Sequence, residues 1–140
     1  MIDGEFLATL VDCLAPGVDA NLPAASMVGC DHMLAALMPR NPNLQRVVSA
    51  IATQAGGAQS FVACDPGGRI GFLEAVQREQ PEGFLALVTA TLAHYYAQPQ
   101  ILAALGWPAR PPQPAGHTLL PFDETLLVSV KARGPIWRQC

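Results

Sequence analysis

Apolar residues recur along this chain at helical spacing. The clearest run is Pro81 to Trp107, PEGFLALVTATLAHYYAQPQILAALGW. Within it Phe84, Leu87, Val88, Thr91, Leu92 and Tyr95 fall at i, i+3, i+4, i+7, i+8 and i+11. That is the stripe of an amphipathic helix, and no two-residue strand period reproduces it. Pro81 suits the first helical position, where its missing N–H costs nothing. Glu82 then places a negative charge near the positive end of the helix dipole. Gln98-Pro99 interrupts or bends the helix, because the residue before a proline is pushed out of the helical region. A short helix over Gln100 to Leu105 follows, with Gly106 as its left-handed cap.

The upstream pattern predicts helices that could cover this one. Asp3 to Leu14 is the first, capped by Asp3, with Phe6, Leu7, Leu10, Val11 and Leu14 as its stripe. Pro16-Gly17 stops it, and Val18 to Pro23 reads as a loop. Ala24 to Met38 is a second helical region. It opens as one turn over Ala24–Met27 and continues with Met33, Leu34, Leu37 and Met38 as its apolar residues. Pro39 and Asn41-Pro42 end it. Asn41 or Asn43 caps a third helix, Leu44 to Gln54, with Leu44, Val47, Val48 and Ile51 inward and Gly56-Gly57 as its stop. Ala58 to Cys64 is a further helical turn. Asp65-Pro66-Gly67-Gly68 reads as a turn, and Arg69 to Gln80 as a fourth long helix with Ile70, Phe72, Leu73 and Val76 apolar. Its junction with Pro81 makes a hairpin or a tight corner.

Residues 106–140 break the pattern, with six prolines and three glycines. They predict an extended arm in which Thr125 to Val130 forms a helical turn or a short strand. Prolines lower the ordering cost of such an arm, and Trp107, Phe122 and Trp137 give it aromatic surface to bury. The expected architecture is all-α: a bundle of about five to six helices over residues 1–107, and a Pro/Trp-rich arm over 108–140. The arm packs on the helices or on a partner.

Composition narrows the function. Only 14% of residues are charged, against about a quarter in ordinary globular chains. So little charge leaves apolar surface exposed and favours burial against a partner or another copy of the chain. The net charge of −3 supplies no general field for nucleic acid. Its distribution is uneven. Residues 1–109 carry four basic and nine acidic side chains, whereas residues 110–140 carry four basic and two acidic. The arm is mildly positive on a negative body, so it lies back on that body or reaches for an acidic partner. No run is long and apolar enough to enter a membrane. MIDGEFLATLVDCL lacks the basic start of a secretory signal. A cytoplasmic chain is expected, reaching the periplasm only if exported with a partner.

Chemistry is sparse. Cys13, Cys30, Cys64 and Cys140 show no CxxC or CxxCH spacing, which argues against a structural zinc or a covalent haem. His32, His94 and His117 show no HxxxH spacing. Cys30-Asp31-His32 holds three ligand types, but neighbours on a helix point apart and cannot chelate one ion. Ser26, Ser49, Ser60 and Ser129 lack a nucleophile-elbow context. Asp65 to Arg69 resembles a phosphate loop only faintly, without the GxxxxGK[ST] pattern. Glu74 and Glu79 fall on different helix faces. No catalytic residue, metal site or cofactor is assigned to this chain.

The segment TATLAHYYAQPQILAALGWPARPPQPAGHTLLPFDETLLVSVKARGPIWR resembles the C-terminal half of the gluconate 2-dehydrogenase subunit 3 family. FLATLVDCLAPGVDANLPAASMVGCDHMLAAL is similar to that family's opening helix and turn. The resemblance covers most of the chain and is most specific over YY-x-x-P and LG-W-P. It implies a small helical accessory subunit without catalytic residues. Such subunits accompany an FAD-containing sugar or alcohol dehydrogenase and support its maturation, stability and export. This chain departs from many members in having no twin-arginine leader.

The candidate contact set is Tyr95, Tyr96, Trp107, Arg110, Phe122, Arg133, Trp137 and Arg138, of the residue types that dominate interfaces. Packing the arm onto the protein's own helices is their alternative role. A second reading is a small-molecule module with a pocket lined by Phe84, His94, Tyr95 and Tyr96. A third, an enzyme, requires a depressed thiol pKa at Cys30 or Cys64.

Overall fold

A computed structural model describes residues 2–108 and 122–134. The chain divides into two units, Met1–Arg110 and Pro111–Cys140. Every regular element among the described residues is helical, so the fold is all-α.

In the first unit, α1 spans Gly4–Leu14 and begins where Asp3 Oδ1 accepts the Phe6 N–H at 2.9 Å. A 3₁₀ turn, Ala25–Val28, leads through Gly29 into α2, Cys30–Leu37. A second 3₁₀ turn, Met38–Arg40, carries the chain past Pro39, further than the sequence pattern places the stop. α3, Pro42–Gln54, starts at Asn41, whose Oδ1 accepts the Leu44 N–H at 3.1 Å. It closes where the Gly56 and Gly57 N–H groups bond the Thr53 and Ala52 carbonyls at 3.0 and 2.8 Å, the double bond that satisfies a helix's last carbonyls. α4 is Ala58–Ala63.

α5 runs from Pro66 to Glu79, so Pro66-Gly67-Gly68 is its first turn and not a separate loop. The reason is Asp65. Its Oδ1 accepts the Gly67 and Gly68 N–H groups at 2.9 and 3.1 Å, which pays for a helical start in a glycine-rich stretch. Arg69, Phe72, Leu73 and Val76 lie on the inner side of α5. Ile70, about 100° further round, is turned out and 51% exposed. One residue, Gln80, separates α5 from α6, Pro81–Tyr96. α7, Pro99–Ala104, follows the Gln98-Pro99 break.

The core joins these helices into one cluster. Phe6, Leu10, Val11, Leu34, Leu44, Val47, Val48, Ile51, Phe61, Val76, Leu87 and Ile101 are all sealed from solvent. Each such side chain contributes on the order of 1.5–3 kcal/mol. Phe6 and Phe61 meet edge to face, ring centroids 5.2 Å apart. α6 touches α1, α2, α3, α5 and α7, and α1 touches α2, α4, α5 and α6. The bundle therefore has two central helices rather than the one that periodicity singles out.

In the second unit, Thr125 to Val130 takes the helical of its two expected forms, not the strand. Asp123 caps a 3₁₀ turn, Glu124–Leu127, which runs into α8, Val128–Arg133. None of these residues is buried.

Candidate functional site

Tyr95 stands apart from the rest of its predicted contact set. Its ring is 5% exposed, and its hydroxyl donates to the Pro23 carbonyl at 2.8 Å. Burial pushes the phenol pKa up, with Tyr96 adding to the effect. Tyr95 is thus a strut beneath the loop between α1 and the first 3₁₀ turn. That loop is tied at several further points. Asp19 Oδ1 accepts the Asn21 and Leu22 N–H groups at 2.8 and 2.9 Å, and the Ala25 N–H bonds the Ala15 carbonyl at 3.0 Å. Asp12 on α1 accepts both the N–H and the hydroxyl of Ser26 at 2.8 Å.

The residues predicted to line a pocket here divide between core and surface. Phe84 belongs to the core, as does Tyr95. The Gln98 side-chain nitrogen lies 3.0 Å from His94 Nε2 and donates to the His94 carbonyl at 3.1 Å, so the imidazole is held at the helix end. Tyr96 packs edge-on against Tyr95, centroids 5.3 Å apart, and leaves half its own surface exposed.

An open cleft lies nearby, between the loop and α7. It measures about 600 Å³ and is lined by Ala20, Asn21, Pro23, Met27, Gln100, Ala103 and Ala104. No charged side chain lines it. Met27, 76% exposed, stands at its rim. The three-residue period of a 3₁₀ turn explains why: Ala25 and Val28 turn toward the core and Met27 turns away. The same period was readable in the sequence once that turn was recognised, yet Met27 was absent from the predicted contact set.

α7 buries Ile101 alone. Its end is closed by Gly106, at φ +75°. The Gly106 N–H bonds the Ala103 carbonyl and the Trp107 N–H bonds the Leu102 carbonyl, at 3.0 and 2.8 Å. The backbone at Trp107 is therefore fixed while the side chain is 68% exposed. In the second unit Phe122 and Arg133 are exposed. Arg110, Trp137 and Arg138 lie outside the described residues.

Of the candidate reactive groups, Cys30 is occupied within the fold. Cys30 is sealed from solvent, and its thiol faces the Thr91 carbonyl at 3.7 Å. Burial, with Asp31 and Asp12 nearby, pushes its pKa up to about 11. That is opposite to what a nucleophilic thiol requires, so Cys30 is removed as a candidate nucleophile. His32 is exposed on the opposite side of its turn and meets only Asp31, at 3.2 Å. Among the described residues, no group of three or more His, Cys, Asp or Glu is placed to hold a metal ion.

The Asp65–Arg69 segment is spent in the same way. The Gly68 and Gly67 N–H groups hold the Asp65 carboxyl below its ordinary pKa. Those amides, the ones a phosphate would need, are taken. Arg69 donates through Nε and Nη2 to the Phe61 and Val62 carbonyls at 3.2 and 2.6 Å, closing the end of α4. No helix among the described residues is long and apolar enough to cross a membrane.

Compared with protein-family models, with curated proteins and with solved structures, the chain matches none of them.

Proposed function

We propose that this chain is a non-catalytic accessory subunit that docks on a larger protein and stabilises it. The partner is a flavin-dependent sugar or alcohol dehydrogenase large subunit, as the sequence resemblance implies, and it holds the FAD. The observation that carries the docking role is the charge-free cleft between the loop and α7, with Met27 standing exposed at its rim. The Met27 side chain gains free energy when a partner covers it, and Asn21 and Gln100 in the cleft offer that partner uncharged hydrogen-bonding groups. Trp107, on a fixed backbone just beyond α7, is the aromatic anchor of the first unit. Its backbone is already ordered, which lowers the cost of using it as a hot spot. Phe122 and Arg133 supply contacts from the second unit.

The test is capture from the native host with the chain tagged at its N-terminus, followed by a visible spectrum of the eluate. A stoichiometric yellow partner with flavin absorption is the expected result, and it names the enzyme to assay. A colourless eluate containing this chain alone overturns the flavoprotein reading.

A further inference from the structure

We draw no further inference here: the strongest candidate, the cleft between α1 and α5 lined by Thr9, Asp12, Cys13, Pro16, Pro66, Arg69 and Ile70, carries nothing because its carboxylate is committed to Ser26 and its guanidinium to the Phe61 and Val62 carbonyls, leaving nothing in the structure to specify a ligand.

Discussion

Tyr95 shows how one hydrogen bond changes a residue's role. Tyr95→Phe keeps the ring in the core and strands the Pro23 carbonyl. The expected loss is about 1–2 kcal/mol, read as a lower urea midpoint at unchanged slope. Cys30 gives a second test, in alkali. Its folded pKa of about 11 lies above the ordinary thiol value of 9.0, so the native state binds more protons than the unfolded state between these limits. Stability therefore falls as pH rises through that window, and is untouched by this group below it. Tyr95 acts in the same direction. Cys30→Ala should flatten the fall of stability with pH without abolishing it. The thiol should resist a thiol reagent at pH 8 until the protein is unfolded. At the acid end, Phe6 N–H and Gln59 hold Asp3 below its ordinary pKa, as Gly68 and Gly67 hold Asp65. Stability from these two caps is present above the unfolded value of 3.8 and is lost as pH falls through the folded one. Asp3→Asn with Asp65→Asn should keep cap acceptors and lessen the loss as pH falls below 3.8 in urea titrations.

Glycines in two elements predict opposite outcomes. Gly71 lies within α5, and a methyl group there meets nothing within 4 Å. Gly71→Ala should stabilise the protein by roughly 0.5–1 kcal/mol, because alanine loses less backbone freedom in a helix. Gly17 lies where the loop doubles back. A methyl group there would stand 2.8 Å from the Ala24 nitrogen and 3.3 Å from the Pro23 carbonyl carbon. Backbone cannot yield as a side-chain tip can, so Gly17→Ala should cost about 1–3 kcal/mol. Thermal melts of the two variants separate these cases. The elements themselves were largely legible in the sequence. The stripes of α1 and α3 are buried almost residue for residue, and Asp3 and Asn41 cap as read. The exceptions are instructive. Ile70 is turned out because the inner face of α5 runs through Arg69, Leu73 and Val76, and Ile70 lies about 100° round from Arg69. In α2 the inward pair is Cys30 and Leu34, and Leu37 is turned out.

At the scale of the molecule, every buried core residue among the described residues falls within the first unit. A chain ending at Arg110 should therefore keep a cooperative unfolding transition and a helical circular-dichroism spectrum. Loss of both would place part of the folding core beyond Arg110. The docking surface makes a separate prediction. Met27→Asp and Trp107→Ala should sharply reduce capture of a partner while shifting stability by no more than about 0.5 kcal/mol, since both side chains are exposed. His32→Ala should leave capture unchanged. Capture at the parental level by both folded variants would remove this face from the interface. Of the residues read as contacts, Tyr96 and Trp107 in the first unit are exposed, and so, in the second, are Phe122 and Arg133. Tyr95 and Phe84 were read as site residues and are core.

The sequence alone determined the helices, most of their ends and the faces they bury. Those are local quantities, set by three- and four-residue spacing, by cap side chains and by prolines within a turn of where they act. Tertiary structure decided what the Tyr95 hydroxyl bonds, what Cys30 faces and where the Arg69 guanidinium donates. Tyr95 and Pro23 are 72 positions apart, and Cys30 and Thr91 are 61. Each of those contacts exists only once separate helices have packed. No periodicity along the chain carries that information, because periodicity describes one helix at a time and a buried hydroxyl or thiol takes its environment from another.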